Sequence, residues 1–197
     1  MRWKFGFAAK VSDIFCLLNM ILDLKSRTNW YVITGGPSSG KTTTVNLLSK
    51  RGYKTTIEHA RHYLDTQRAD GKTVKEVRDN QTEFQLGVLN MQIEQEALLS
   101  PDDVIFLDRA IPDALAYYRF LHLPPDEKLR DAMRTVSYKK IFILDNLPLV
   151  KDYARTEDAT AQKTIHQLIT EVYESLPFPV VHVPVLPPDE RADYILE

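Results

Sequence analysis

Short apolar runs alternate along most of the chain with longer segments whose apolar residues recur every three or four positions. The short runs are rich in β-branched and aromatic residues, which predicts strands at residues 30–34, 53–57, 104–107, 141–144 and 180–183. The periodic segments predict helices at residues 43–50, 74–79, 82–99, 163–176 and 189–196. Strands that alternate with helices in this way predict an α/β fold with three layers and a parallel five-stranded sheet.

Residues 1–28 have a different pattern and are predicted to form an N-terminal extension to a domain spanning residues 29–197. Apolar residues recur there at helical steps, which predicts an amphipathic helix: Val11, Ile14, Phe15, Leu18, Ile21 and Leu22. The longest unbroken apolar run, residues 14–18, is far shorter than the roughly 20 residues of a membrane span. We therefore expect no transmembrane segment, and a helix that packs on the domain or contacts a partner or a membrane surface.

Composition narrows the classes of function without choosing one. The chain has 197 residues, 44% of them hydrophobic, so it can bury a core without disulfides. A formal net charge of −2 gives no broad basic surface, and we expect no nucleic-acid partner. The single cysteine, Cys16, excludes a disulfide framework within one chain and suits a reducing compartment such as the cytoplasm.

A glycine-rich segment directly follows the first predicted strand and matches the pattern G-x-x-x-x-G-K-[ST] of a P-loop: Gly35, Gly36, Pro37, Ser38, Ser39, Gly40, Lys41 and Thr42. Glycines allow the tight turn that points backbone N–H groups at phosphates, and Thr43 starts a predicted helix there. Lys41 is expected to reach the outer phosphates of ATP, with GTP left open. The Thr42 hydroxyl is expected to bind Mg²⁺.

Asp108 and Arg109 follow the strand predicted at residues 104–107. An acid at the end of an apolar strand, beside the P-loop, is placed to hold Mg²⁺ directly or through water. Asp145 also follows four apolar residues and is the alternative metal ligand. The adjacent arginine favours Asp108, because Arg109 could bind an anionic or hydroxyl group of an acceptor.

Two further sites are candidates for catalysis. Glu58 follows the second predicted strand and is expected to act as a general base or to help hold the metal, although an acid that only starts a helix is the alternative. Residues 151–163 are polar and follow the fourth strand, where a lid is expected. Arg155, or in second place Lys163, would then neutralise charge on the transferring phosphoryl group.

The five histidines are scattered, and only His59 and His62 are close in sequence. A pair at this spacing without nearby acids is weak evidence for a metal site. His182 lies within an apolar strand and is predicted to be a buried core residue.

Four segments resemble a known family. The runs YVITGGPSSGKTT, EHARHYL, FLDRAIPDALAYYRFL and HVPVLPPDERADYIL are similar to AAA-type ATPases and kinases related to the nicotinamide riboside kinase domain of NadR. The resemblance covers roughly residues 29–197. It implies a kinase-like P-loop NTPase fold with a lid, Mg²⁺ and a nucleoside triphosphate. It also implies that Glu58, Arg61 and Arg109 face the acceptor, with Gln81 and Gln85 on the long helix near it, and that Arg155 and Glu157 belong to the lid.

Three functions remain open on this evidence. A small-molecule kinase would transfer the γ-phosphoryl group of ATP to a nucleoside-like acceptor, using Lys41, Glu58, Asp108 and Arg155. A nucleotide-dependent binding module or switch would use ATP or GTP without such transfer. The chain lacks D-x-x-G and N-K-x-D, which disfavours a Ras-like GTPase. An ATPase acting on a macromolecule ranks third, and a homodimer is left open.

Overall fold

The computed structural model describes residues 28–150 and 158–197. The amphipathic segment predicted in residues 1–28 therefore lies outside the described residues, apart from Thr28. The candidate lid residues Arg155 and Glu157 also lie outside them. Their predicted roles stay predictions.

Five parallel strands form one sheet in the order β2-β3-β1-β4-β5. The strands are β1 (Trp30–Thr34), β2 (Lys54–Thr55), β3 (Ile105–Asp108), β4 (Lys140–Leu144) and β5 (Val180–Val183). Val32 lies opposite Leu107 on one side and Ile141 on the other, so β1 is the centre of the sheet. The predicted α/β fold with five parallel strands is confirmed.

Eight helices are present within the described residues. They are α1 (Lys41–Lys50), α2 (His59–Ala69), α3 (Val74–Asp79), α4 (Gln81–Leu98), α5 (Ile111–Phe120), α6 (Glu127–Thr135), α7 (Ala159–Glu174) and α8 (Pro188–Leu196). The apolar pattern does not predict α2, α5 and α6. Helix α2 is largely polar and buries only His59 and Leu64, while α6 buries only Leu129 and Ala132. Such short apolar stripes are too sparse to establish a helical period.

Alternate residues of each central strand face opposite layers of helices. On one face Val32, Leu107 and Ile141 pack with α5, α6 and α7 in a buried cluster. On the other face Ile33, Phe106, Phe142 and Leu144 pack against α1 and α8. A sheet covered on both faces needs strands that are apolar throughout, as these strands are.

Three details of the prediction are wrong at the edges of the fold. Strand β2 contains only two residues, because the chain turns outward after Thr56 and Ile57 is 52% exposed. Leu98 lies in the helix predicted at residues 82–99 from its apolar periodicity, which places it on the packed face, but it is 86% exposed in the last turn. His182 is not a core residue, because it points outward from the edge strand β5 and its Nε2 lies 3.0 Å from Glu174 Oε1.

No helix in the described part of the chain is long and apolar enough to cross a membrane.

Candidate nucleotide and acceptor site

The glycine-rich loop joins the buried end of β1 to the start of α1. Gly35 has φ 140° and Gly40 has φ 84°, backbone conformations that favour glycine. A Cβ on Gly35 would lie 2.5 Å from the carbonyl oxygen of Leu144, so a side chain there would collide with β4. No side chain caps the first turn of α1. Its backbone N–H groups are therefore available to an anion, which the helix dipole also attracts.

Lys41 is held inside this loop and is only 5% exposed. Its Nζ donates to the carbonyl oxygens of Gly35 at 3.1 Å and Gly36 at 2.7 Å, and to Ser39 Oγ at 3.2 Å. Burial, reinforced by the charge of Arg109, lowers the pKa of Lys41 to about 7. The ammonium thus lies at the start of α1, where the predicted phosphate contact requires it.

Thr42 and Asp108 are brought into direct contact. Thr42 Oγ1 donates to Asp108 Oδ2 at 2.9 Å, and Asp108 is 1% exposed at the end of β3. Burial, followed by the negative charge of Glu58, raises the pKa of Asp108 to about 6. Asp108 Oδ1 is buried and has no hydrogen-bond partner.

This oxygen pair fits a divalent cation. The Thr42 hydroxyl and the Asp108 carboxylate, whose Oδ1 has no hydrogen-bond partner, are hard ligands of the kind that Mg²⁺ takes together with phosphate oxygens and water. The described residues contain no cluster of three or more His, Cys, Asp and Glu side chains with metal-site geometry. Phosphate oxygens and water would complete the coordination of such an ion.

Glu58 and Arg109 form the other side of the site. Glu58 precedes α2, and its Oε1 lies 3.6 Å from Arg109 Nε while its Oε2 lies 3.8 Å from Arg61 Nε. Arg109 has φ 69°, an unusual conformation for a residue with a Cβ, and its side chain is 11% exposed. Strain of this kind persists where surrounding contacts impose it. The three residues predicted to face an acceptor are thus adjacent.

Asp113, which the sequence pattern does not single out, holds Arg109 in position. Its Oδ1 accepts from Arg109 Nη1 at 2.8 Å and from Thr34 Oγ1 at 2.8 Å. Its Oδ2 accepts from Tyr173 OH at 2.6 Å and from the backbone N–H of Ala110 at 3.2 Å. One buried carboxylate therefore links β1, α5 and α7 to the arginine. The spacing of four residues from Arg109 could have indicated the pair.

A second buried acid, Glu96 of α4, contacts the start of α5, the helix that contains Asp113. Its Oε1 accepts from the backbone N–H of Ile111 at 3.0 Å and from Gln92 Nε2 at 2.8 Å. Its Oε2 accepts from Tyr138 OH at 3.0 Å. Burial outweighs these three hydrogen bonds and raises the pKa of Glu96 to about 7. Glu96 therefore connects the start of α5 to α4 and to the chain before β4.

A cavity of about 540 Å³ connects the P-loop to the Glu58–Arg109 side. Residues 37–43 line one end, and Arg61 and Gln85 line the other. Gly35 and Gly36 are not among its lining residues, and they shape the loop from behind. Gln81 is not among them either, although it was predicted near an acceptor, because it lies in the first turn of α4. Lys163 is exposed on α7 and does not line the cavity.

Helix α7 holds the P-loop from the side away from the cavity. Gln162 Nε2 donates to the carbonyl oxygen of Pro37 at 2.8 Å, and His166 Nδ1 accepts from the backbone N–H of Gly36 at 3.3 Å. Asp145, the alternative metal ligand, lies at the end of β4, and the Thr42 contact is made by Asp108. The structure therefore favours Asp108 over Asp145.

A family model described as an AAA domain matches residues 30–191, most of the chain. The chain belongs to this AAA-domain family. The match spans the P-loop, the Asp108–Arg109 pair and all five strands, and it agrees with the resemblance to NadR-related P-loop kinases. A comparison with curated protein sequences gives no significant match.

Solved structures with this fold include several kinases. A deoxyadenosine kinase from M. mycoides, with dCMP and dCDP bound, has a TM-score of 0.62 at 15% identity, covering 85% of this chain and 96% of that one. Thymidylate kinase from Candida albicans has a TM-score of 0.54 at 17% identity over 86% and 90% of the two chains. NadR in complex with NR has a TM-score of 0.58 at 17% identity, and the match covers 89% of this chain but 52% of NadR. These structural similarities confirm the kinase-like P-loop fold.

Proposed function

We propose that the protein is a phosphotransferase that moves the γ-phosphoryl group of ATP to a small nucleoside-like acceptor. The proposal rests on one observation. Lys41 and the Glu58–Arg109 pair line the same continuous cavity of about 540 Å³. A site that only bound nucleotide would not need a second region lined by Glu58, Arg61 and Arg109. The kinase neighbours share the fold and support the reaction class.

Each end of the cavity suits one reactant. The P-loop N–H groups and Lys41 would bind the triphosphate. Thr42 and Asp108 would hold Mg²⁺, which neutralises charge on the phosphates when bound. Glu58 would accept the proton of the acceptor hydroxyl as it attacks, and Arg109 would orient that carboxylate.

The acceptor end combines apolar walls with a few polar groups. Leu64, Phe84, Val88 and Leu89 contribute apolar surface, and Gln85 contributes a buried amide among them. A flat ring with polar edges matches such a lining. Two neighbours are named for complexes of that type, the deoxyadenosine kinase with dCMP and NadR with NR. A nucleoside or nicotinamide riboside is therefore the first class of acceptor to test.

The decisive experiment incubates the protein with Mg²⁺-ATP and a panel of nucleosides that includes nicotinamide riboside, and detects phosphorylated product by mass spectrometry. We expect product with at least one acceptor. Glu58→Gln should lower kcat by about 100-fold or more, as loss of a general base does. Glu94→Gln, on the exposed side of α4, is the matched control and should not change kcat. Nucleotide binding without any product across the panel would favour the binding module instead.

A further inference from the structure

Arg191 of α8 contacts the P-loop but does not line the cavity. It is 2% exposed although it carries a full charge. Its Nη1 donates to the carbonyl oxygen of Ser39 at 2.5 Å, and its Nη2 donates to the carbonyl oxygen of Pro184 at 3.2 Å. The guanidinium therefore joins the P-loop to the chain segment that follows β5.

This buried cation has no anionic partner among residues 28–150 and 158–197. No carboxylate there lies within ion-pair distance of it, and the charge of Asp145 acts on it only from farther away. Its Nε is buried without a hydrogen-bond partner. Buried charges are normally paired, because removing an ion from water is costly. An arginine placed here implies a negative charge supplied by something that binds nearby.

The geometry of one peptide unit shows where that charge would bind. The Ser39 carbonyl and the Gly40 N–H belong to the same peptide group, which is trans and planar. They point in opposite directions, so a cation on the carbonyl oxygen faces away from the N–H. Arg191 polarises this peptide and makes the Gly40 N–H a stronger donor toward the start of α1. A Cβ on Gly40 would lie 3.1 Å from Arg191 Nη1, so the two residues are closely packed.

We infer that Arg191 is a positioning residue for phosphate binding, which fixes the Ser39–Gly40 peptide and adds positive charge behind the loop without touching the ligand. The inference rests on the nucleotide-binding half of the proposed function and does not require phosphoryl transfer. Its chemical partner is the polyphosphate chain of a nucleotide. The effect should therefore grow with the number of phosphates, whereas a merely structural arginine would affect all nucleotides alike.

The test compares the dissociation constants of ATP, ADP and AMP, each with Mg²⁺, by calorimetry for the wild-type protein, Arg191→Met and Arg191→Lys. For Arg191→Met we expect ATP affinity to fall about 10-fold or more, ADP affinity to fall less, and AMP affinity to change less than about 2-fold. Arg191→Lys keeps the charge but loses the two-carbonyl fork, so it should recover most of the ATP affinity. Arg51→Met is the matched control, because Arg51 also binds α8 but is exposed and paired with Asp189 and Asp193.

Several outcomes would overturn the inference. Equal losses for all three nucleotides, or unchanged ATP affinity in Arg191→Met, would reduce Arg191 to a structural residue. If Arg191→Met does not fold, Arg191→Gln, which also removes the charge, takes its place. A loss that grows from AMP to ADP to ATP supports the inference, and a uniform loss or none contradicts it. A wild-type protein that binds no ATP would refute both this inference and the proposed function. ATP binding without phosphorylated product would refute only the latter.

Discussion

Replacing Glu96 with glutamine should change how the stability of the protein depends on pH. Glu96 is 7% exposed and accepts hydrogen bonds from Ile111, Gln92 and Tyr138. A glutamine has nearly the same shape. Its amide oxygen can accept from Ile111 and Gln92, and its amide nitrogen can face the Tyr138 hydroxyl, which rotates to accept. The substitution therefore removes the ionisable group at position 96 and keeps its shape and its hydrogen bonds.

The direction in which stability changes with pH follows from the pKa of Glu96, which burial raises from an ordinary 4.5 to about 7. The folded protein binds this proton more tightly than the unfolded chain does. The stability it contributes is complete below about pH 4.5 and is lost as the pH rises through about 7. Since each pH unit is worth about 1.4 kcal/mol, the loss amounts to roughly 3 kcal/mol. Above about pH 8, Glu96→Gln should therefore be more stable than the wild-type protein.

Urea unfolding followed by far-UV circular dichroism, at several values between about pH 5 and pH 8, measures this difference. The free energy of unfolding of Glu96→Gln minus that of the wild type should rise by roughly 3 kcal/mol across the range. Other titrating groups cancel in the subtraction, because both proteins contain them. Glu94→Gln, an exposed neighbour on the same helix, should run parallel to the wild type. A flat difference for Glu96→Gln would refute the reasoning that burial outweighs the three hydrogen bonds.

Two further predictions concern the site itself. Lys41→Ala should weaken ATP binding by about 10-fold or more, since a charge-assisted contact is worth about 1.5–3 kcal/mol. Calorimetry measures this, with the exposed Lys50→Ala at the end of the same helix as control, and unchanged affinity would contradict the role of Lys41. Asp113→Asn should lower kcat more than it changes KM, because Arg109 loses the closer of its two carboxylate partners, and should cost about 1–3 kcal/mol of stability. Asp65→Asn, which breaks an exposed pair with Arg68, should cost under about 1 kcal/mol, and an equal effect of the two changes would argue against Asp113 as a positioning residue.

The parts of the site that sequence predicts are those made from neighbouring residues. A strand, a glycine-rich loop and a helix follow one another in residues 30–50, so their pattern is visible without any tertiary contact. The Asp108–Arg109 pair is similar, because an apolar run places the acid at a strand end. That Thr42 meets Asp108 rather than Asp145 depends on the strand order, in which β3 and β4 both flank β1. A linear pattern leaves that choice open.

The residues that sequence did not predict are those with distant partners. Asp113 meets Tyr173 across 60 positions, and Glu96 meets Tyr138 across 42. Both acids are buried, although a charged residue is normally predicted to be exposed when only the sequence is known. The error at His182 has the same origin, because alternation along a strand cannot show that β5 is the edge of the sheet.

Buried charge is distributed around the P-loop in a consistent way. Lys41 and Arg191 both donate hydrogen bonds to carbonyl oxygens of the loop. The carboxylates of Asp113 and Glu58 instead contact Arg109, on the acceptor side. The two cations at the loop thus contact neutral carbonyl oxygens, whereas Arg109, on the proposed acceptor side, contacts two carboxylates. Such a division favours transfer from a charged donor to an uncharged acceptor, because each reactant meets an environment suited to its own charge.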